Sequence, residues 1–381
     1  MTARLALGGE EPRHPSFGGV PGPNHREPLG RTVAHRTAPL RPVPVDRLNA
    51  ETSPEALLAS RTPNPGFFVR SHFPTPAVRA SSWKLSVGGA VRRPRDWTLA
   101  ELRELPHARV VAALECAGNS RRRLSKLAEG ELRWGDHAVG SAVWEGVPLR
   151  ALLQRAEPLP AAREVVFSGA DTGATAAPAR RFSRSLTADL AAQDREILVA
   201  TEMNGSPIPA DHGWPARLVV PGWYGMAWVK WLTTIQVRTT PFRGYYQSSR
   251  YVYRTSREDA TVVEPVARLR VKSLVVTPGE GTRVARGRST VISGKAWSGS
   301  GPVTQVEVDV GSGWEVAQLT PGDGPYDWAS WTYRWAPSRS GPTILRARAT
   351  DADGATQPDE PIANDFQYGT NSIHRVQVVV A

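Results

Sequence analysis

Leu114-Glu115-Cys116-Ala117-Gly118-Asn119-Ser120-Arg121-Arg122-Arg123 carries the chain's one thiol between an apolar run and three consecutive guanidinium groups. The run ahead of it, Val110-Val111-Ala112-Ala113-Leu114, is short and apolar, which predicts a buried strand. Gly118-Asn119 is a turn signal, so the thiol falls where that strand gives way to a loop. Positive charge beside a thiol lowers its pKa and favours the thiolate, which is a nucleophile or a soft metal ligand. The plainer reading is a small buried apolar residue, the common state of a lone cysteine.

A nucleophilic cysteine needs a positioned histidine. The chain has eight, and their spacing does not show which of them approach Cys116. A metal on one thiolate takes its other ligands from distant His or Asp residues, or from a cofactor that brings its own. One cysteine in 381 residues excludes an intramolecular disulfide, a CxxC redox pair, a CxxCH haem attachment and an all-cysteine cluster.

Around this segment, from Arg70 to about Pro241, the pattern is mixed. Val165-Val166-Phe167 and Leu218-Val219-Val220 are further strand candidates, while Leu149–Leu153 and Leu186–Ala192 have helical spacing. Dense Gly, Pro, Asn and Asp between them indicate an α+β domain with long functional loops. From about Val271 the period changes to two, as in Val303–Val310 and Trp331–Trp335, with turns at Ser298-Gly299, Gly322-Asp323-Gly324 and Asp353-Gly354. About seven such strands suggest an immunoglobulin-type β-sandwich, here without a cysteine pair. Asp351-Ala352-Asp353-Gly354 is read as a hairpin turn, since a calcium loop needs a downstream glutamate.

Residues 1–45 hold eight prolines and six glycines with Phe17 as their sole aromatic, too little apolar surface to offset ordering entropy. The expected organisation is a disordered arm (1–45), an α+β domain (46–258) and an all-β sandwich (259–381). No secretory leader is visible, which favours a cytoplasmic protein or one whose leader has been removed. No apolar run approaches the ~20 residues of a membrane span. The net charge of +11 comes mostly from arginine, a base that can hold planar oxyanions through paired hydrogen bonds. No basic amphipathic helix, RNA-binding motif or zinc finger accompanies it, so no specific nucleic-acid partner is expected.

The segment Cys-Ala-Gly-Asn followed by arginines resembles the metal-binding loop of the sulfite oxidase family, molybdenum enzymes that carry a pyranopterin. The resemblance extends in order along residues 45–381. It includes Asn49-Ala50-Glu51-Thr52, Phe68-Val69-Arg70-Ser71-His72-Phe73-Pro74, Trp134, Ala138–Leu149 and Ser168-Gly169-Ala170-Asp171. Glu202-Met203-Asn204-Gly205, Asp211-His212-Gly213-Trp214-Pro215-Ala216-Arg217, Trp228-Val229-Lys230-Trp231-Leu232, Tyr251 and Asn371–Val376 follow. It implies a molybdopterin-binding fold followed by a dimerising immunoglobulin-like domain, in the haem-free, bacterial style.

The resemblance further implies Cys116 as the protein's ligand to molybdenum, beside two sulfurs of the pterin dithiolene. It assigns cofactor binding to Arg70, Ser71, His72, Asp171, His212, Arg217, Trp228, Val229 and Lys230, with Asp171 accepting from pterin amines at a cofactor loop. It places Arg70, Arg121, Trp134 and Tyr251 around the substrate, Tyr251 orienting it and Arg121 serving as the substrate-side guanidinium. Arg122 and Arg123 are read as solvated. The implied reaction is oxidation of sulfite to sulfate by oxygen-atom transfer, with electrons passed to an external acceptor such as a cytochrome, in a homodimer. Departures bear on the oxyanion: Ser71 and Ser120 stand where relatives carry other polar groups, and Phe366-Gln367 stand where animal enzymes carry a late arginine. The competing readings are a nitrate or sulfoxide reductase on the same scaffold, and a non-catalytic basic binding module whose sandwich is the active part.

Overall fold

The computed structural model describes residues 41–42, 49–124, 131–173, 180–257, 260–362 and 364–381. The arm expected over residues 1–45 lies outside them except for Arg41–Pro42, which form a short strand antiparallel to Ala50–Glu51.

The α+β part is built on two five-stranded sheets. In one, Ala108–Glu115 pairs with Val139–Pro148, which pairs with Leu198–Met203, and both Ser206–Pro207 and Arg217–Val219 pair with the latter. The other runs Arg95–Thr98, Lys84–Gly89, Leu232–Arg238, Glu164–Gly173, Arg180–Thr187. The strands expected around Val110, Val165 and Leu218 are present. Helices are short. Leu149–Ala156 forms where its spacing predicts one. The helix expected over Leu186–Ala192 begins later, at Ala188, because the Thr187 side chain accepts from the Leu190 N–H and caps it, leaving Leu186 in the strand. Ser168-Gly169-Ala170-Asp171 is not a loop but part of the strand Glu164–Gly173, irregular between Ser168 and Thr172, which turns Asp171 inward.

The C-terminal part is the expected sandwich, with sheets of four and five strands where about seven were expected in all. The surplus comes from two- and three-residue edge strands, Arg283–Val284, Trp314–Val316 and Gln318–Thr320, too short to show a period. Ile292, Val306, Trp331, Leu345, Ala347 and Val378 fill its core. Asp353-Gly354 is the expected turn, with Asp351 Oδ1 accepting from the Asp353 and Ala355 N–H groups.

The larger core does not stop at the first part: it takes in Leu274, Trp297, Trp328 and Tyr368. Three polar contacts reinforce this. The Tyr326 carbonyl accepts from the Ala113 N–H at 2.8 Å, the Trp328 indole donates to the Ser60 carbonyl at 2.9 Å, and Ser141 donates to Asp327 at 2.6 Å. At the centre, Lys272 Nζ lies 2.7 Å from Glu115 Oε1, both side chains 1% exposed. Trp297 Nε1 donates to the other Glu115 oxygen at 2.9 Å, and Lys272 donates again to Ser120 Oγ at 2.8 Å.

Removing one member of a fully buried pair leaves an uncompensated charge. Lys272→Met is therefore expected to lower stability by about 3–5 kcal/mol, and Glu115→Gln/Lys272→Met to recover most of it. Denaturant unfolding of the full chain checks this; a single variant as stable as the parent refutes the assigned role of the pair.

Candidate active site

The strand Ala108–Glu115 buries its last six residues and delivers Cys116 to the wall of a cavity. The cavity and its mouth together hold about 630 Å³ of empty space, open solvent included. Its lining includes Cys116, Arg70, Ser71, His72, Asp171, Asp211, His212, Arg217, Trp228 and Lys230. Most of the residues expected around a cofactor are thus brought together from segments far apart in sequence.

The loop after the strand is fixed by its own polar groups. The Cys116 carbonyl accepts from the Asn119 N–H at 2.9 Å, and its N–H donates to Ala138 at 2.9 Å. Asn119 Oδ1 accepts from the Ala138 N–H at 3.0 Å while Nδ2 donates to Glu115 at 2.9 Å. The expectation of a thiolate favoured by three arginines is corrected here. Burial pushes the Cys116 thiol up and outweighs the opposing influence of Arg70, the Gly118 N–H and Arg121. Arg122 is exposed, and Arg123 is not merely solvated, because it pairs with Asp136 at 2.6 Å. Deprotonation therefore calls for a further cation at the sulfur, which a bound metal supplies.

Arg70, His72 and Tyr251 are in direct contact. Arg70 donates to Asn49 Oδ1 at 3.2 Å and to the Ser71 carbonyl. Its Nη2 lies 3.1 Å from His72 Nδ1 and 3.5 Å from Nε2, so the guanidinium sits over the ring rather than in line with either nitrogen. His72 Nε2 and Tyr251 Oη share a hydrogen bond at 2.7 Å. Burial first, then the nearby cations, hold His72 well below the usual imidazole range, so the ring stays neutral. Burial raises the Tyr251 phenol, keeping its proton in place.

The other end of the cavity crowds cations. Lys230 donates to Ser71 Oγ at 2.6 Å and to the Asp211 carbonyl at 2.8 Å. Arg217 donates to the His212 carbonyl at 2.9 Å and the Trp228 carbonyl at 3.1 Å. Trp228 thus contributes both a wall and a backbone acceptor, and Val229 holds the neighbouring strand by accepting from the Leu218 N–H at 2.8 Å. Burial, reinforced for Lys230 and His212 by neighbouring cations, lowers Lys230 to about 7, Arg217 to about 9 and His212 to about 3. Gly213 has φ +112, and a Cβ there would lie 3.0 Å from Lys230, so the close approach requires glycine.

Three expected substrate residues are placed differently: Trp134, Arg121 and Tyr251 do not line the cavity, although Tyr251 is bonded to His72, which does. Trp134 is fully buried in the core. Arg121 is buried too, and its Nη1 lies 2.6 Å from Glu131. Asn49, Asp211, Phe182, Glu131 and Tyr368 belong to the site's surroundings and were given no role from sequence. Asn49 and Asp211 stood inside quoted motifs, so position within a motif was the available signal; Glu131 and Tyr368 had none.

Residues 72–246 match the oxidoreductase molybdopterin binding domain, and residues 263–381 the Mo-co oxidoreductase dimerisation domain. The chain is 34% identical to mitochondrial sulfite oxidase of Drosophila melanogaster, over 91% of this chain and 64% of that protein. It is 36% identical to sulfite oxidase of Gallus gallus, over 83% of this chain and 72% of that one. It is also 32% identical to nitrate reductase [NADH] of Solanum lycopersicum, over 84% of this chain and 38% of that one. The chain therefore spans just under two thirds of the fly protein's length. The crystal structure of the sulfane dehydrogenase SoxCD from Paracoccus pantotrophus shares the fold, with TM-score 0.79, 24% identity and coverage of 94% of this chain and 92% of that one.

These matches imply a molybdenum–molybdopterin cofactor, and the residues fit it. Arg70, Arg217 and Lys230 face Asp171 and Asp211 alone among the lining carboxylates, and buried Arg217 Nε and Asn49 Nδ2 have no partner. An anionic group rich in acceptors satisfies that set. Among the described residues no cluster of His, Cys, Asp or Glu could hold a metal ion by itself, so a metal on Cys116 depends on ligands that arrive with it. Arg70, His72, His212, Arg217 and Lys230 would hold the pterin and its phosphate, with Asp171 as acceptor for pterin amines.

Burial raises the Asp171 carboxyl from 3.8 to about 6. Between those values the unfolded chain has lost a proton that the folded chain retains, so stability falls as pH rises through the window. Asp171→Asn in the cofactor-free chain should melt above the parent at about pH 7 and match it below about pH 4. Thermal unfolding across that range is the check; an unchanged gap at both ends refutes the assignment.

Proposed function

The chain belongs to the sulfite oxidase family of molybdopterin-dependent oxidoreductases, and on that premise we propose that it oxidises sulfite, or a close sulfur oxyanion, passing the electrons to an external acceptor. The observation that carries this reading is the junction in one cavity of a single buried thiol, Arg70 and His72, with Tyr251 bonded behind His72, and a cation-rich far wall. When bound, the cofactor supplies the two-electron oxygen-atom chemistry.

The chain's own residues divide the remaining work. Arg217, Lys230 and His212 would hold the cofactor's anionic end. Arg70 is the cation acting most strongly on the thiol, where it can draw in an oxyanion. Neutral His72 fixes the Tyr251 ring through the Nε2–Oη hydrogen bond, and Tyr251 is the group that would orient an oxygen of the substrate. Phe68, Leu114, Phe182 and Met226 line the same cavity and limit water around those hydrogen bonds.

The dimerisation-domain match supports a homodimer through the sandwich, for which twofold symmetry is the default. A second reading, nitrate reduction, is favoured by the similarity to plant nitrate reductases. Paired assays separate the two: sulfite with ferricyanide, against nitrate with reduced viologen. Metal analysis of the purified protein addresses the non-catalytic alternative, which requires no molybdenum.

Cys116→Ser replaces a soft donor with a hard one. Sulfite turnover should drop by more than the ~100-fold that loss of a supporting contact to a metal ligand costs, while circular dichroism shows an intact fold. Near-parental turnover would refute Cys116 as the ligand.

A further inference from the structure

Glu131 and Arg250 have no part in the chemistry above, yet they complete a charged group at its edge. The Glu131 side chain is 6% exposed and its two oxygens are divided: Oε2 lies 2.6 Å from Arg121 Nη1, and Oε1 is bonded by Arg250 Nη2. Two arginines thereby carry one net positive charge instead of two. Arg121 is committed further, since its Nη2 donates to the Phe366 carbonyl at 2.7 Å.

The group sits beside the reacting end of the cavity. The Arg121 guanidinium lies over Gly118, two residues from Cys116, where a Cβ would meet Nη1 at 2.6 Å. It also lies 4.7 Å over the Tyr368 ring, which stacks on Tyr251 at 4.9 Å between centroids. Arg250 is the residue before Tyr251 in the chain. A structural ion pair needs one arginine. Here one carboxylate is shared by two, and both flank the residues that meet the substrate.

The geometry points to Glu131 as a specificity-determining residue: a fixed carboxylate beside the cavity that offsets the attraction of Arg121 and Arg250 for a small oxyanion at its reacting end. Its repulsion scales with the ligand's charge and, being buried, is weakly screened. It therefore disfavours a dianion more than a monoanion and speeds release of a doubly charged product. This rests on the reading that the site takes a sulfur oxyanion.

The test is Glu131→Gln in the cofactor-loaded, full-length protein, with sulfate binding titrated by calorimetry without turnover and sulfite kinetics measured alongside. Sulfate Kd and sulfite KM should each fall on the order of tenfold, the effect of one unit charge removed from a neighbouring, partly screened site, with the larger share in KM than in kcat. Binding of neutral dimethyl sulfone should move far less, whereas a general loosening of the pocket shifts both ligands together. Unchanged or weaker sulfate binding overturns the proposal. A parent that binds sulfate but does not oxidise sulfite overturns the substrate assignment and leaves this inference to the sulfate titration. Should Glu131→Gln fail to fold, Arg250→Gln gives the opposite sign: Glu131 then engages Arg121 alone and sulfate binds more weakly, and unchanged binding overturns the proposal.

Discussion

A carboxylate buried one residue from the only thiol has to be neutralised, and the residue that neutralises it comes from the other end of the chain. Glu115 is met by Lys272 on one oxygen and Trp297 on the other, while Asn119 also donates to it. Desolvating such a pair cancels much of its Coulombic gain, so its value lies more in fixing one arrangement than in net stability. The arrangement it fixes is the strand end, the Cys116 loop and the docking of the sandwich together. Lys272 also reaches Ser120 Oγ, so the loop is gripped on both sides of the cysteine. The sandwich, the part that matches a dimerisation domain, is accordingly also a support of the active site.

The cavity separates two electrostatic tasks. At the far end, Lys230 and Arg217 are held without a full complement of carboxylates, and burial lowers the proton affinity of both, with Arg217 adding to the effect on Lys230. A bound anion would compensate the water these cations have lost. At the near end the logic reverses, because Glu131 already neutralises part of the charge on Arg121 and Arg250. A permanent anion is invited at one end, and a transient one is held more lightly at the other.

What could be read from sequence follows from locality. The two-part fold, Cys116, Arg70, His72, Arg217 and Lys230 were legible because each lies in a short contiguous motif whose order along the chain carries information. The Glu115–Lys272 pair joins residues 157 positions apart, the Arg121–Glu131 pair joins two separate segments, and no local pattern marks either. The resemblance implies Asp171 on a cofactor loop; Asp171 does line the cavity, but its backbone is a strand interrupted by an irregularity that no local pattern announces. The sign of the Cys116 shift was misread for a related reason. Adjacent arginines count only if they face the sulfur, and two of the three do not, while the burial that outweighs the third is a property of the whole fold.

The backbone shows where the fold accepts cost for the sake of the site. Among the described residues six non-glycines have left-handed φ, and Ser120, Trp231 and Tyr251 are three of them. Such conformations cost of order 1–3 kcal/mol each and persist only where surrounding contacts over-determine them. Each of the three is held by its side chain: Ser120 Oγ accepts from Lys272, the Trp231 indole donates to the Ala210 carbonyl at 2.7 Å, and Tyr251 Oη shares a hydrogen bond with His72 Nε2. Glycine would relieve the backbone at all three and lose all three contacts. At Trp231 and Tyr251, both buried, it would also leave a cavity, and truncating a buried aromatic costs about 3–5 kcal/mol, more than the strain. The strain is therefore tied to what these side chains do: Ser120 anchors the cysteine loop, Trp231 lies beneath Lys230 with Nζ 4.1 Å from its ring, and Tyr251 backs His72 at the cavity wall.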